Sequence, residues 1–91
     1  MSVGNTGGMP RVSTPAAILV GSHISRIRKS RSMTVDHLAV AGGIDSSNVR
    51  SYEAGRAMMN LGSLVRIAEA LEVSPGDLLE GVSSELFTNA K

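Results

Sequence analysis

TVDHLAVAGGIDSSNVRSYEAG, residues 34–55, is the stretch around which the rest of the chain is arranged. It reads as two short helices joined by a glycine turn. Thr34 stands as an N-cap before Val35, Asp36 and His37, since its hydroxyl can accept one of the N–H groups that a first helical turn leaves unpaired. Leu38 and Ala39 give that helix a side to bury. Gly42-Gly43 ends it, because glycine enters the left-handed conformation that closes a helix without steric cost. Asp45 then caps a second helix, where Val49 shares a face with Tyr52 and Glu53. Ser46, Ser47, Arg50 and Ser51 fall on the other side, a polar ridge without bulky apolar groups.

Upstream, Thr14-Pro15 opens a long helix to about Arg31, with proline at the first helical position, where its missing N–H costs nothing. Val20, Ile24 and Ile27 form its apolar stripe, while His23, Arg26 and Lys29 point toward solvent or phosphate. Arg28 flanks that stripe and Glu53 flanks the buried face of the helix that Asp45 begins. A charge so placed is tolerable only when paired, so the two are expected to form a structural ion pair. Met1 to Ser13 is rich in glycine and small polar residues and is expected to be a disordered tail, with Arg11 as a solvated charge. Its GNTGG lacks the following Gly-Lys-Ser/Thr of a phosphate loop.

Downstream, Arg56 to Asn60 reads as a loop, in which Met58 and Met59 either form a soft contact surface or, at one or both positions, fill core. Asn60 caps a helix from Leu61 to about Leu71, whose Leu64, Ile67, Ala68 and Leu71 recur at helical spacing. Ser74-Pro75-Gly76-Asp77 starts a last short helix with Leu78 and Leu79, ended by Gly81. Residues 82–91 form a C-terminal tail, open to helix formation or dimer contact through Leu86 and Phe87. The whole implies an all-α, compact five-helix domain over residues 14–81.

Ninety-one residues make one domain with a small core, for which self-association is a reasonable support. One Tyr and one Phe leave the core to aliphatic residues. With no cysteine, disulfides, thiolate metal sites and cysteine nucleophiles are excluded, and a cytoplasmic location is the simplest. The longest apolar run, Pro15 to Val20, is too short for a membrane span or an export signal. No enzyme is expected: His23 and His37 lie on different helices, the serines lack a neighbouring base, and no paired carboxylates are present. The same scarcity argues against a metal or a cofactor. Net charge is +1 overall but unevenly divided: residues 1–66 carry +5 and residues 67–91 carry −4. The basic part can meet phosphate while the acidic end faces away or meets protein.

In this arrangement VGSHISRIRKSR, DHLAVAGGID, NVRSYEAGR and LVRIAEALEVSPGDLL follow one another from Val20 onward, and over Gly21 to Gly81 the chain resembles the phage-repressor and Cro-like (XRE) helix-turn-helix family. Val35, Met59 and Ser32 stand where relatives often have glutamine, proline and glycine. The resemblance implies a repressor-like fold and sequence-specific binding of double-stranded DNA by a transcriptional regulator. Residues 45–54 would then be the recognition helix in the major groove, with base contacts from Ser46, Ser47, Arg50 and Ser51. Phosphate contacts would fall to His37, Asn48, Arg56 and the helix start at Asn60, with Val35 at the corresponding edge of the preceding helix. A homodimer on a two-fold operator would use Leu78, Leu79, Val82, Leu86 and Phe87. The alternative is an antitoxin or other protein-binding module on the same fold.

Overall fold

Four of the five helices start where a side chain or a proline takes care of unpaired N–H groups of the first turn. In the computed structural model, which describes residues 13–88, α1 spans Pro15–Ser30, and Thr14 Oγ1 accepts from the Ala17 N–H at 3.1 Å. For α2, Val35–Gly42, Thr34 Oγ1 accepts from the His37 N–H at 2.9 Å. For α4, Leu61–Leu71, Asn60 Oδ1 accepts from the Ser63 N–H at 2.8 Å. α3 spans Ser46–Glu53 and α5 spans Pro75–Leu78, followed by a 3-10 helix at Ser84–Phe87. No strand occurs among the described residues.

The first four helices end in one way. A left-handed residue follows each: Ser32 (φ 57°), Gly43 (φ 66°), Gly55 (φ 75°) and Glu72 (φ 63°). The next N–H reaches back five residues, Met33 to Arg28 O, Ile44 to Ala39 O, Arg56 to Ser51 O and Val73 to Ala68 O, at 2.9–3.1 Å. That bond satisfies a carbonyl left over by the helix and turns the chain sharply. Met33, Ile44 and Val73 then lie against the core, so three of the turns are also pinned by an apolar side chain.

The core draws on all five helices: Val20, Ile24, Leu38, Val49, Ile67, Leu71 and Leu78 are fully buried, and no polar residue is buried among the described residues. Burying each of these side chains contributes roughly 1.5–3 kcal/mol. Met59 joins them while Met58 stays exposed.

Four expectations need revision or relocation. Leu78 lies at 0% exposure inside the core, so it holds α5 onto the bundle and has no surface left for a dimer contact. α5 ends at Leu78 with Leu79 as its cap, and Gly81 (φ 78°) sits in the turn beyond, because four residues are enough to bring Leu78 inside. Ser13, placed in the tail, donates its hydroxyl to Gly55 O at 2.8 Å, so ordered chain begins at least one residue earlier. The rest of the expected tail, with Arg11, lies outside the described residues, as does the end of the chain after Thr88.

Candidate nucleic-acid interface

The polar ridge of α3 is presented by what lies beneath it. Val49 is completely buried, so the helix is anchored through its middle. On one side α3 meets α1 at unusually close range. A Cβ added at Gly21 would run into Tyr52 O and come within 2.9 Å of Glu53 O, so the two backbones can meet only over glycine. Gly55 repeats the device, with its Cα position facing Ile18 so closely that an added Cβ would lie 2.8 Å from Ile18 Cγ1.

Polar bonds fix the same joint. Arg28 Nε donates to Glu53 Oε2 at 2.6 Å and Nη2 to Oε1 at 3.0 Å, a two-pronged contact between α1 and the end of α3. Its Nη1 donates to Met33 O at 2.7 Å, tying the turn before α2 into the same cluster. Both side chains are 11% exposed. The hydrogen bond from Glu53 raises the Arg28 pKa above the ordinary arginine value against the pull of desolvation, with charge attraction helping, so the guanidinium is cationic at every physiological pH.

On the outer side, Ser47, Asn48 and Arg50 are exposed, whereas Ser46 and Ser51 are half-buried and present less of themselves than helical spacing alone suggests. Ser47 Oγ donates to Asp45 Oδ2 at 2.8 Å. Asp45 thus begins α3 by backbone conformation and holds a serine, with no side-chain bond to the helix N–H groups. Arg50 Nη1 lies 3.4 Å from Ser46 Oγ, and Nη2 lies 3.5 Å from Asp36 Oδ1 in the first turn of α2. Nothing local in the sequence announces the contact of Asp36 with Arg50, since the two lie fourteen residues apart.

The other residues that the resemblance marks surround this ridge. His37, Arg56 and Asn60 are exposed, while Val35 is half-buried and packs against the core. The Asn60 carbonyl oxygen is occupied by the Ser63 N–H, which leaves its amide N–H₂ and the neighbouring backbone donors for an anion. Arg31 and Arg26 are engaged elsewhere: Arg31 Nε donates to Leu71 O at 2.5 Å, and Arg26 Nη2 lies 3.2 Å from His23 Nδ1. His23 Nε2 in turn lies 2.9 Å from Glu80 O, joining α1 to the chain after α5.

A second surface lies apart from the ridge. Met58 (40% exposed), Leu61 (74%), Leu79 (39%) and Phe87 (52%) line one apolar groove with Met59 and Leu64 at its floor. Of the residues expected at a dimer contact, Leu79 and Phe87 are there, while Val82 and Leu86 are half-buried. Among the described residues no group of three or more His, Asp or Glu side chains is placed to hold a metal ion, and no helix is long and apolar enough to cross a membrane.

Comparison with known proteins adds the following. The family model described as a Cro/C1-type HTH DNA-binding domain matches residues 23–83. The restriction-modification controller protein C.AhdI from Aeromonas hydrophila superposes with a TM-score of 0.67 at 26% identity, covering 68% of this chain and 94% of that one. The P22 c2 repressor in complex with synthetic operator 9T gives 0.65 at 27% identity, over 69% and 96% of the two chains. The biofilm regulator SinR in complex with DNA gives 0.64 at 26% identity, over 67% and 98%. No curated protein sequence matches the chain.

Proposed function

The chain belongs to the Cro/C1-type helix-turn-helix DNA-binding family of transcriptional regulators, and from that premise we propose that it binds a two-fold operator as a homodimer, with α3 in the major groove of each half-site. One observation carries the reading: Ser47, Asn48 and Arg50 stand exposed on a short helix whose underside is anchored by Val49, Gly21 and the Arg28–Glu53 clamp. Such a rigid polar ridge suits base edges, where side-chain donors and acceptors must be held in register. Two of the similar structures, the P22 c2 repressor and SinR, are complexes with operator or other DNA, and they support the same use of this fold.

Arg50 reads a base in this scheme, since its guanidinium suits guanine O6 and N7 together. Ser46, Ser47 and Ser51 contribute shorter contacts beside it. His37, Asn48, Arg56 and the Asn60 helix start hold phosphates on either side. One domain of this size offers few phosphate contacts, so two copies on half-sites about 34 Å apart supply the affinity and the operator its symmetry. The groove at Met58, Leu61, Leu79 and Phe87 is the apolar surface with which a second copy would pair.

Selection of bound duplexes from random DNA, followed by fluorescence anisotropy, tests this directly. The expected product is a symmetric site. Arg50→Ala should then cost about 1–3 kcal/mol on that site and relax preference at one base pair. Equal weakening on every duplex would reassign Arg50 to phosphate, and failure to enrich any sequence would end the proposal.

A further inference from the structure

We propose that Asp36 is a positioning residue for Arg50 that raises the preference of the protein for its own site over other DNA. This rests on the DNA-binding reading above and deepens it. Asp36 is in the first turn of α2, where a carboxylate is favoured by the helix dipole, and that alone would account for its presence. Its Oδ1, however, lies 3.5 Å from Arg50 Nη2 on the neighbouring helix, while Arg50 Nη1 lies 3.4 Å from Ser46 Oγ. A long contact between side chains 56% and 73% exposed adds little to the stability of the fold. Its consequence is where it holds the guanidinium.

Counting donors shows what that does. Arginine carries five N–H groups. The contacts to Asp36 and Ser46 use one on each terminal nitrogen and leave three, and a two-pronged guanine contact needs two of them. Arg50 thus keeps enough donors to bind guanine without releasing Asp36, provided that the two it uses lie on one edge of the guanidinium. A phosphate is different. Where a phosphate lies beyond the reach of the guanidinium in this position, taking it means releasing Asp36 and leaving its carboxylate unpaired within the field of the DNA backbone. Asp36 thus weakens wrong complexes more than the right one, which is how a repulsive group produces specificity.

Anisotropy on two duplexes decides the matter: the site selected from random DNA, and a scrambled duplex of equal length and composition. Asp36→Asn should tighten binding to both, and to the scrambled duplex more, so that the ratio between them falls about tenfold, the scale of one well-aligned arginine–guanine contact. Asp36→Glu keeps the charge and displaces it by one methylene, and should also lower the ratio, which general repulsion of phosphate would not do. In an Arg50→Ala background Asp36→Asn should shift both duplexes by the same factor. Circular dichroism of each variant checks that α2 is intact. Equal shifts on both duplexes with Arg50 present would overturn this role for Asp36 while leaving the DNA-binding reading standing. Wild-type protein that cannot tell the two duplexes apart overturns both.

Discussion

Arg28 and Glu53 show how much a single pair can decide. Taking two charges largely out of water costs as much as their attraction returns, so the pair contributes specificity of packing more than net stability. Removing one partner is another matter, because it strands the other. Glu53→Ala should lower stability by about 3 kcal/mol, since Arg28 would keep a buried charge with only Met33 O to meet it. Thermal melting followed by circular dichroism measures this, and an unchanged midpoint would reject the account. Gly21 makes the complementary case without charge. Gly21→Ala puts a methyl group against Tyr52 O and Glu53 O, both backbone atoms with no rotamer to change. The variant should melt at lower temperature and bind DNA more weakly, because α1 and α3 must separate and the ridge moves with α3. Full affinity together with a lowered midpoint would show that the ridge does not depend on this joint.

At the scale of elements, what sequence reveals depends on whether the chemistry is local. Caps are local: Thr14, Thr34 and Asn60 each take an N–H three residues on, and the helix starts were readable from them. Helix ends marked by Gly43 and Gly55 were equally legible. Ser32 and Glu72 occupy the same left-handed geometry without being glycine, so only the end of the apolar pattern located those turns. Leu78 carries no such signal, because a four-residue helix has no periodicity from which to read an inward face. Asp36 beside Arg50, and Gly21 under Tyr52, join different helices, and no spacing along the chain announces them. The two unusual caps lead to a prediction of opposite sign to the previous ones. A left-handed residue with a Cβ costs about 1–2 kcal/mol, and glycine there gives back part of this through its freer unfolded chain. Ser32→Gly and Glu72→Gly should each raise stability by roughly 0.5–1 kcal/mol, and together their effects should fall short of additive, since Arg31 donates to Leu71 O and so joins the two turns. Denaturant titration of the single and double variants checks both the sign and the additivity.

For the whole molecule, the question is how two small domains span an operator. The basic part of the chain holds α1 to α3, the acidic part begins in α4, and the apolar groove at Met58, Leu61, Leu79 and Phe87 is assembled from the loop before α4, the start of α4, the end of α5 and the 3-10 helix. A contact built there brings together ends of like charge, so it depends on apolar burial to outweigh their repulsion, and it should strengthen as salt screens the acidic residues. Specific protein–protein interfaces of standard size bury about 800 Å² per partner, with aromatic side chains as anchors near the centre. Phe87 is the only described aromatic side chain left more than half exposed. Phe87→Glu should therefore abolish the dimer while sparing the monomer fold, because the side chain is 52% exposed and its loss leaves no cavity among the fully buried residues. Sedimentation at tens of micromolar should show a dimer for the wild type and a monomer for the variant. On the selected operator the variant should bind far more weakly, yet on an isolated half-site it should match the wild type, since α3 is untouched. A wild-type chain that remains monomeric with and without DNA would sink the two-fold model and leave the groove to a different protein.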